Sequence, residues 1–109
     1  NNNPLEWEVN LDWLDDQMGT HPTITASHQP PDSGSLTPAQ ERTWQEIRQN
    51  SNEVVSIHGH MHHFGKRDKD GLVSFVAQRV DYGEYAVVTI TNKKLTKIQR
   101  CKKHCEVVH

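Results

Sequence analysis

Three short runs rich in β-branched and aromatic residues, Glu53-Val-Val-Ser-Ile57, Leu72-Val-Ser-Phe-Val-Ala77 and Tyr85-Ala-Val-Val-Thr-Ile90, hold much of the apolar character of this chain. Residues of that kind fit a pleated, half-buried surface, so whatever forms must be built on strands. The chain has 109 residues, enough for one domain at most. Only 33% of them are hydrophobic and the mean hydropathy is -0.83, whereas ordinary soluble domains are roughly 45–50% apolar. A chain of this size buries a limited fraction of its surface even with a normal core. Apolar residues scattered through a polar chain would read as disorder. Here they are gathered into strands with too little to pack against. The expectation is a piece of a larger fold, or a chain that needs a partner, weakly stable by itself. The opening at Asn1, without a methionine, adds the expectation of a segment upstream.

Charge narrows the partners. Twelve basic and 14 acidic residues leave a net charge of -2, which favours neither a nucleic-acid-binding module nor a membrane surface. No run approaches the ~20 apolar residues of a membrane span, and no signal peptide is visible. Localisation stays open, with a slight lean to the cytoplasm. Six of the 12 basic residues fall between Lys93 and Lys103; they read as a solvated strand edge that discourages aggregation.

The spacing of Trp7, Leu11, Leu14 and Met18 predicts a helix over residues 5–18, closed by Gly19 and barred by Pro22. A strand is expected over 22–27. Thr37, Pro38 and Gln40 spell a capping box with proline at the first helical position. The helix they start should run to about Asn50 and bury Trp44 and Ile47. Strands follow at about 53–58, 72–77, 85–91 and 95–100, with a charged loop over 66–71 and a tight hairpin at Thr91-Asn92-Lys93-Lys94. Trp7, Trp13 and Trp44 are expected to face the core.

Eight histidines are the compositional outlier. His28 and the cluster His58-Gly59-His60-Met61-His62-His63 both sit where a predicted strand gives way to a loop, the usual place for a site in a sheet-based fold. His60 and His62 are two residues apart, so an extended backbone would point both imidazoles to one side. His28 can join them if its strand neighbours the one that ends at His58. Neutral imidazoles suit zinc, iron, manganese or nickel.

These residues resemble the C-terminal half of a calcineurin-like metallophosphoesterase. Gly59-His60-Met61-His62 is similar to that family's Gly-His-x-His motif, and Ser27-His28-Gln29-Pro30-Pro31 resembles the single-histidine motif before it. Trp13-Leu14 resembles the Trp-Leu pair that often precedes the latter. The resemblance implies an α/β fold, part of a four-layer α-β-β-α sandwich with mixed sheets whose N-terminal half is absent. It assigns residues 1–100 to that domain and leaves 101–109 as a terminal tail. It also implies a hydrolase of phosphate mono- or diesters with two divalent or trivalent transition-metal ions (Mn, Fe, Zn or Ni). His28 and His60 would ligate one ion and His62 the other. The family's Asp-x-His, Gly-Asp-x-x-Asp and Gly-Asn-His motifs do not occur here. The carboxylates and the leaving-group acid would come from the missing half or a partner chain, and the isolated chain should be inactive. The rival reading is a non-catalytic, histidine-rich metal-binding module or scaffold.

Other residues invite weaker readings. His58, His63 and His21 are expected at the surface, with His63 able to orient a ligand. Phe64 and Tyr82 read as packing, and Asp81 and Glu84 are not expected to replace the missing carboxylates. Cys101 and Cys105 flank His104, which leaves a small metal site with His109, a disulfide or free thiols. In one strand the two cysteines would lie ~13 Å apart, too far to bridge, whereas in a helix or turn they could meet; free thiols in a tail are preferred.

Overall fold

The computed structural model describes residues 10–34 and 36–109. Asn10 caps the first helix, α1 (Leu11–Met18), its side-chain oxygen accepting from the Trp13 amide at 2.9 Å. Residues 5–9 of the expected helix, and with them Trp7, lie outside the described residues. Gly19 closes α1 with φ 46. Met18 is buried, but Trp13 is 59% exposed, which corrects its expected place in the core. It stands one residue before Leu14 on the helix and turns off the stripe of Leu11, Leu14 and Met18.

β1 (Pro22–Ser27) follows, and then α2 (Pro38–Gln49). Its capping box forms as expected: the Gln40 amide donates to Thr37 Oγ1 at 3.1 Å, and the Thr37 amide donates to Gln40 Oε1 at 2.9 Å. Trp44 and Ile47 are buried. β2 (Asn52–His58) runs parallel to β1 with Ser27 opposite His58. Beyond it, β3 (Gly65–Lys66) and β4 (Ser74–Val76) are antiparallel, and β4 lies parallel to β2. The expected strand over 72–77 is shorter because Asp70 and Gly71, with φ 53 and 79, make a hairpin turn closed by paired bonds between Lys69 and Leu72. The order β1-β2-β4-β3 is a mixed sheet.

After a 3-10 turn (Val80–Tyr82), β5 (Tyr85–Thr91) and β6 (Lys94–Cys101) form the expected hairpin. Asn92 and Lys93 both adopt positive φ, 53 and 64, which matches the right-handed twist of the strands they join. β7 (Cys105–Val107) pairs with β6, and the Val108 amide donates to Ile98 O at 2.9 Å. The segment expected as a terminal tail therefore holds β7, the third strand of an antiparallel sheet. Cys101 and Cys105 form a disulfide with Cα atoms 4.0 Å apart. The ~13 Å separation holds only along a single strand; here the chain reverses over 102–104. By chain entropy alone, closing so short a loop stabilises the fold by about 2 kcal/mol. Reduction, or Cys105→Ser, is expected to lower the stability measured by urea titration by that amount; an unchanged midpoint would show that the hairpin holds without the bond.

The two sheets face each other across Val55, Phe75 and Ile98, with Ile57, Phe64, Val88 and Leu95 packed around them. Phe64 stacks on Phe75 with centroids 5.7 Å apart, so it packs as expected. Sealing each of these large apolar side chains contributes roughly 1.5–3 kcal/mol. On the opposite face of the mixed sheet, α2 packs against β2 and α1 against α2. The described residues thus form an α/β fold in helix, mixed-sheet and antiparallel-sheet layers. The expected fourth layer is not among them: Tyr85, Val87 and Val107, on the outer face of the second sheet, are exposed. Among the described residues no helix is long and apolar enough to cross a membrane.

Candidate functional site

Parallel pairing with Ser27 opposite His58 brings β1 and β2 to an end together. The ladder continues one step further, where the Gly59 amide donates to His28 O at 2.8 Å. His28 and His60 therefore leave the sheet side by side at the carboxyl ends of adjacent parallel strands, where open α/β sheets place their ligands. His60 Nδ1 and His28 Nε2 are 3.2 Å apart, and the rings meet edge to face with centroids 5.0 Å apart. Both side chains are exposed.

The backbone past Gly59 does not stay extended. His60 and His62 have φ 71 and 58, and the Met61 amide bonds back to Gly59 O at 2.8 Å. Left-handed geometry is uncommon outside glycine and costs on the order of 1–3 kcal/mol per residue; it clusters where a loop serves a site. The extended backbone that would align His60 and His62 at two-residue spacing is therefore not the one this loop adopts. Among the described residues no three His, Cys, Asp or Glu side chains converge to hold a metal ion. Gly59 itself takes no left-handed conformation, and a Cβ there would lie 3.5 Å from His28 O, an ordinary contact. The unusual conformations fall on the histidines after it.

The largest departure from the sequence reading is His58. Expected at the surface, it is 2% exposed. Its Nδ1 lies 2.8 Å from Ser27 Oγ and its Nε2 lies 2.7 Å from Ser56 Oγ. Ser56 Oγ lies 2.8 Å from Thr25 Oγ1, which in turn donates to Glu53 Oε1 at 2.7 Å. Ser27 Oγ donates to Gln29 O at 2.6 Å. At the other end, Arg48 of α2 clamps Glu53 with Nε and Nη2 on its two carboxylate oxygens, at 2.8–2.9 Å. A polar chain thus runs under α2 from a buried ion pair to the His28 loop.

A register shift makes this possible. Thr23 faces Glu53 and Ile24 faces Val55, leaving Val54 as the extra residue of a bulge. Skipping one residue puts Glu53 on the same face as Ser56 and His58, re-aiming it toward Arg48. Thr25 and Ser27 supply the matching face of β1.

Counting hydrogens decides the state of His58. The chain has five contacts, Glu53–Thr25, Thr25–Ser56, Ser56–His58, His58–Ser27 and Ser27–Gln29 O. Three hydroxyls and one ring N–H supply only four hydrogens; an imidazolium would supply the fifth, in a charge-assisted bond worth roughly 1.5–3 kcal/mol. Burial opposes that charge, and Arg48 repels it, lowering the His58 pKa from 6.5 to about 4. A shift of that size is worth about 3 kcal/mol, so burial prevails and the ring is neutral near pH 7.

Other expected features are accounted for. Asp81 pairs with Arg79, and Glu84 is buried and paired with Arg100 at 3.0 Å, so neither serves the histidines. His63 Nδ1 lies 2.8 Å from Met61 O, within its own turn, and His63 and His21 are exposed, as expected. Tyr82, read as packing, is 52% exposed and lies under the Arg79 guanidinium. Four of the missed residues carried a signal, since Thr25 and Ser27, and Ser56 and His58, are polar pairs at two-residue spacing in two predicted strands; Glu53, three residues before Ser56, joins their face only through the bulge.

Comparison with known proteins adds little to the geometry. No protein-family model matches the chain, and no curated protein matches it. Among solved structures the chain is similar to the solution NMR structure of a Thermotoga maritima protein, TM1076, at 18% identity and a TM-score of 0.44. The match covers 78% of this chain and 46% of that one, so the chain spans less than half of its neighbour's length.

Proposed function

We propose that this chain supplies the histidine ligands of a metal-dependent phosphoesterase, as the C-terminal half of a calcineurin-like metallophosphoesterase domain. The observation that carries the reading is the 3.2 Å approach of His60 Nδ1 and His28 Nε2 at the ends of two adjacent parallel strands. Two nitrogens each ~2.0–2.1 Å from one tetrahedral ion lie about 3.3 Å apart, so the donor pair fits a shared metal. In the metal-free chain the same separation serves one N–H···N hydrogen bond between the rings. His62, exposed on the same loop, would ligate a second ion together with groups from outside this chain.

When bound, a pair of transition-metal ions (Mn, Fe, Zn or Ni) would lower the pKa of a water and neutralise the charge on a phosphate ester. The chain's own part is to hold the ligand imidazoles neutral and oriented. The bridging carboxylates and the leaving-group acid would come from an N-terminal half or a partner chain, which would also complete the four-layer sandwich. Two surfaces support such a completion. Ile24 shares the face of its neighbour Val55 yet is 52% exposed, and Tyr85, Val87 and Val107 form the uncovered outer face of the second sheet.

The test is Co(II) titration of the chain followed by absorbance. His28→Ala and His60→Ala should each weaken binding by more than the roughly 10–100-fold typical of losing an outer-shell partner. His62→Ala should leave this first site intact. Failure of the native chain to bind cobalt at millimolar concentration would sink the reading. A second reading is a metal-binding module without catalysis. Phosphoester hydrolysis on adding the complementary half, lost in His62→Ala, would exclude it.

A further inference from the structure

We propose that His58 is a positioning residue for the His28–His60 pair, acting through Ser27 on the loop that carries His28. The inference rests on the metal-site reading above and extends it to residues that touch no metal. Ser27 immediately precedes His28 and its hydroxyl bonds to the carbonyl of Gln29, which immediately follows. His58 holds that same hydroxyl at 2.8 Å. The Gly59 amide bonds to the carbonyl of His28 between them. The His28 backbone is thus tied on both flanks and at its own carbonyl, and two of the three ties meet at Ser27 Oγ. The third comes from the residue that links His58 to His60. One imidazole therefore sets the positions from which both exposed imidazoles project.

The opposite nitrogen of His58 is anchored as firmly. With the ring hydrogen on Nδ1 toward Ser27, Ser56 donates to Nε2 at 2.7 Å, and Ser56 sits on β2, which the Glu53–Arg48 pair fastens to α2; the contact left without a hydrogen is one of Thr25's. The ring is a rigid strut between the helix-anchored part of the sheet and the free end of β1. Among the described residues β1 is an edge strand, and its last residue has no second strand to hold it. An apolar side chain would fill the same buried space without the desolvation cost of an imidazole. What it could not do is hold two hydroxyls on different strands at once.

The experiment separates positioning from mere stabilisation by cutting the strut on either side. Ser27→Ala removes the link to the His28 loop, Ser56→Ala removes the link to the sheet interior, and His58→Phe removes both while keeping a ring. Stability is read by urea titration, metal affinity by Co(II) absorbance, and ring placement by the NOE between His28 and His60 ring protons in the metal-free chain. The expected result is a 10–100-fold loss of cobalt affinity and a weakened NOE in Ser27→Ala and His58→Phe. Combining those two should give no further loss, since both act through one link. Ser56→Ala should lose stability but keep affinity within about threefold, because Ser27 still holds the ring. Equal affinity in all variants, or losses that follow stability whichever serine is changed, would overturn the proposal. Should the native chain bind no cobalt, the metal reading fails and the NOE decides the positioning alone: unchanged in Ser27→Ala, it ends the proposal; weakened there and not in Ser56→Ala, it upholds it. If His58→Phe does not fold, the two serine variants still decide.

Discussion

Glu53→Ala is expected to cost roughly 3–5 kcal/mol of stability, the largest effect of any single substitution considered. The reason is what it leaves behind. Arg48 is 3% exposed and its guanidinium is aimed at Glu53, whose side chain is 1% exposed. Removing the carboxylate strands a buried positive charge that keeps a contact to Gln45 Oε1 at 3.2 Å. Thr25 loses one of its two acceptors as well. Whole domains are stable by only about 5–15 kcal/mol, so this change alone would unfold much of the population. The pair itself is not a large net stabiliser, because taking two charges out of water offsets most of their attraction. Arg48→Met combined with Glu53→Leu is therefore expected to recover most of the loss. Urea titration of the single and double variants checks both statements; a single-variant cost below about 1 kcal/mol would show that water reaches Arg48.

Acid should weaken the fold through His58. Burial and the Arg48 charge hold its folded pKa at about 4, below the ordinary 6.5. The folded state therefore binds fewer protons than the unfolded state between those values, and stability rises with pH there. Read downward, stability present above about pH 6.5 is lost as pH falls toward 4, on the order of 2 kcal/mol by about pH 4.5. The groups facing the ring agree in sign on balance: Arg48 of α2 lowers the pKa, while Glu53 of β2 and Asp32 of the loop after β1 raise it by less than burial and Arg48 lower it. Replacing His58 with glutamine should flatten the acid limb measured by urea titration at several pH values. An equally steep limb in that variant would assign the acid sensitivity to the carboxylates instead.

Much of the fold was legible because it rests on local chemistry. The capping box at Thr37-Pro38-Ala39-Gln40, the β-branched runs and the hairpin at Asn92-Lys93 each act within a few residues, and each formed where expected. So did the placement of His28 and His60 at strand ends. Asp70-Gly71 was equally local and went unread; it is a standard hairpin signal, and missing it lengthened β4 at its start. The disulfide is not legible because Cys101 and Cys105 meet only if the chain turns back between them, and nothing in their spacing decides between a turn and an extended tail.

The sequence by itself determined β1, β2, β4, β5 and β6, the second helix and the two histidines that leave β1 and β2, since propensity, capping and spacing are properties of neighbouring residues; β3 and β7 were not among them. Tertiary structure alone decided which face each polar residue met. The bulge at Val54 turns Glu53 onto the face of Ser56 and His58, and α2 then covers that face with Arg48. Those contacts join residues from separate elements, and only the packed sheet and helix bring them within hydrogen-bonding distance. The left-handed turn through His60 and His62 belongs with them: two-residue spacing aligns side chains only while the backbone stays extended, and whether it does is set by what the loop packs against.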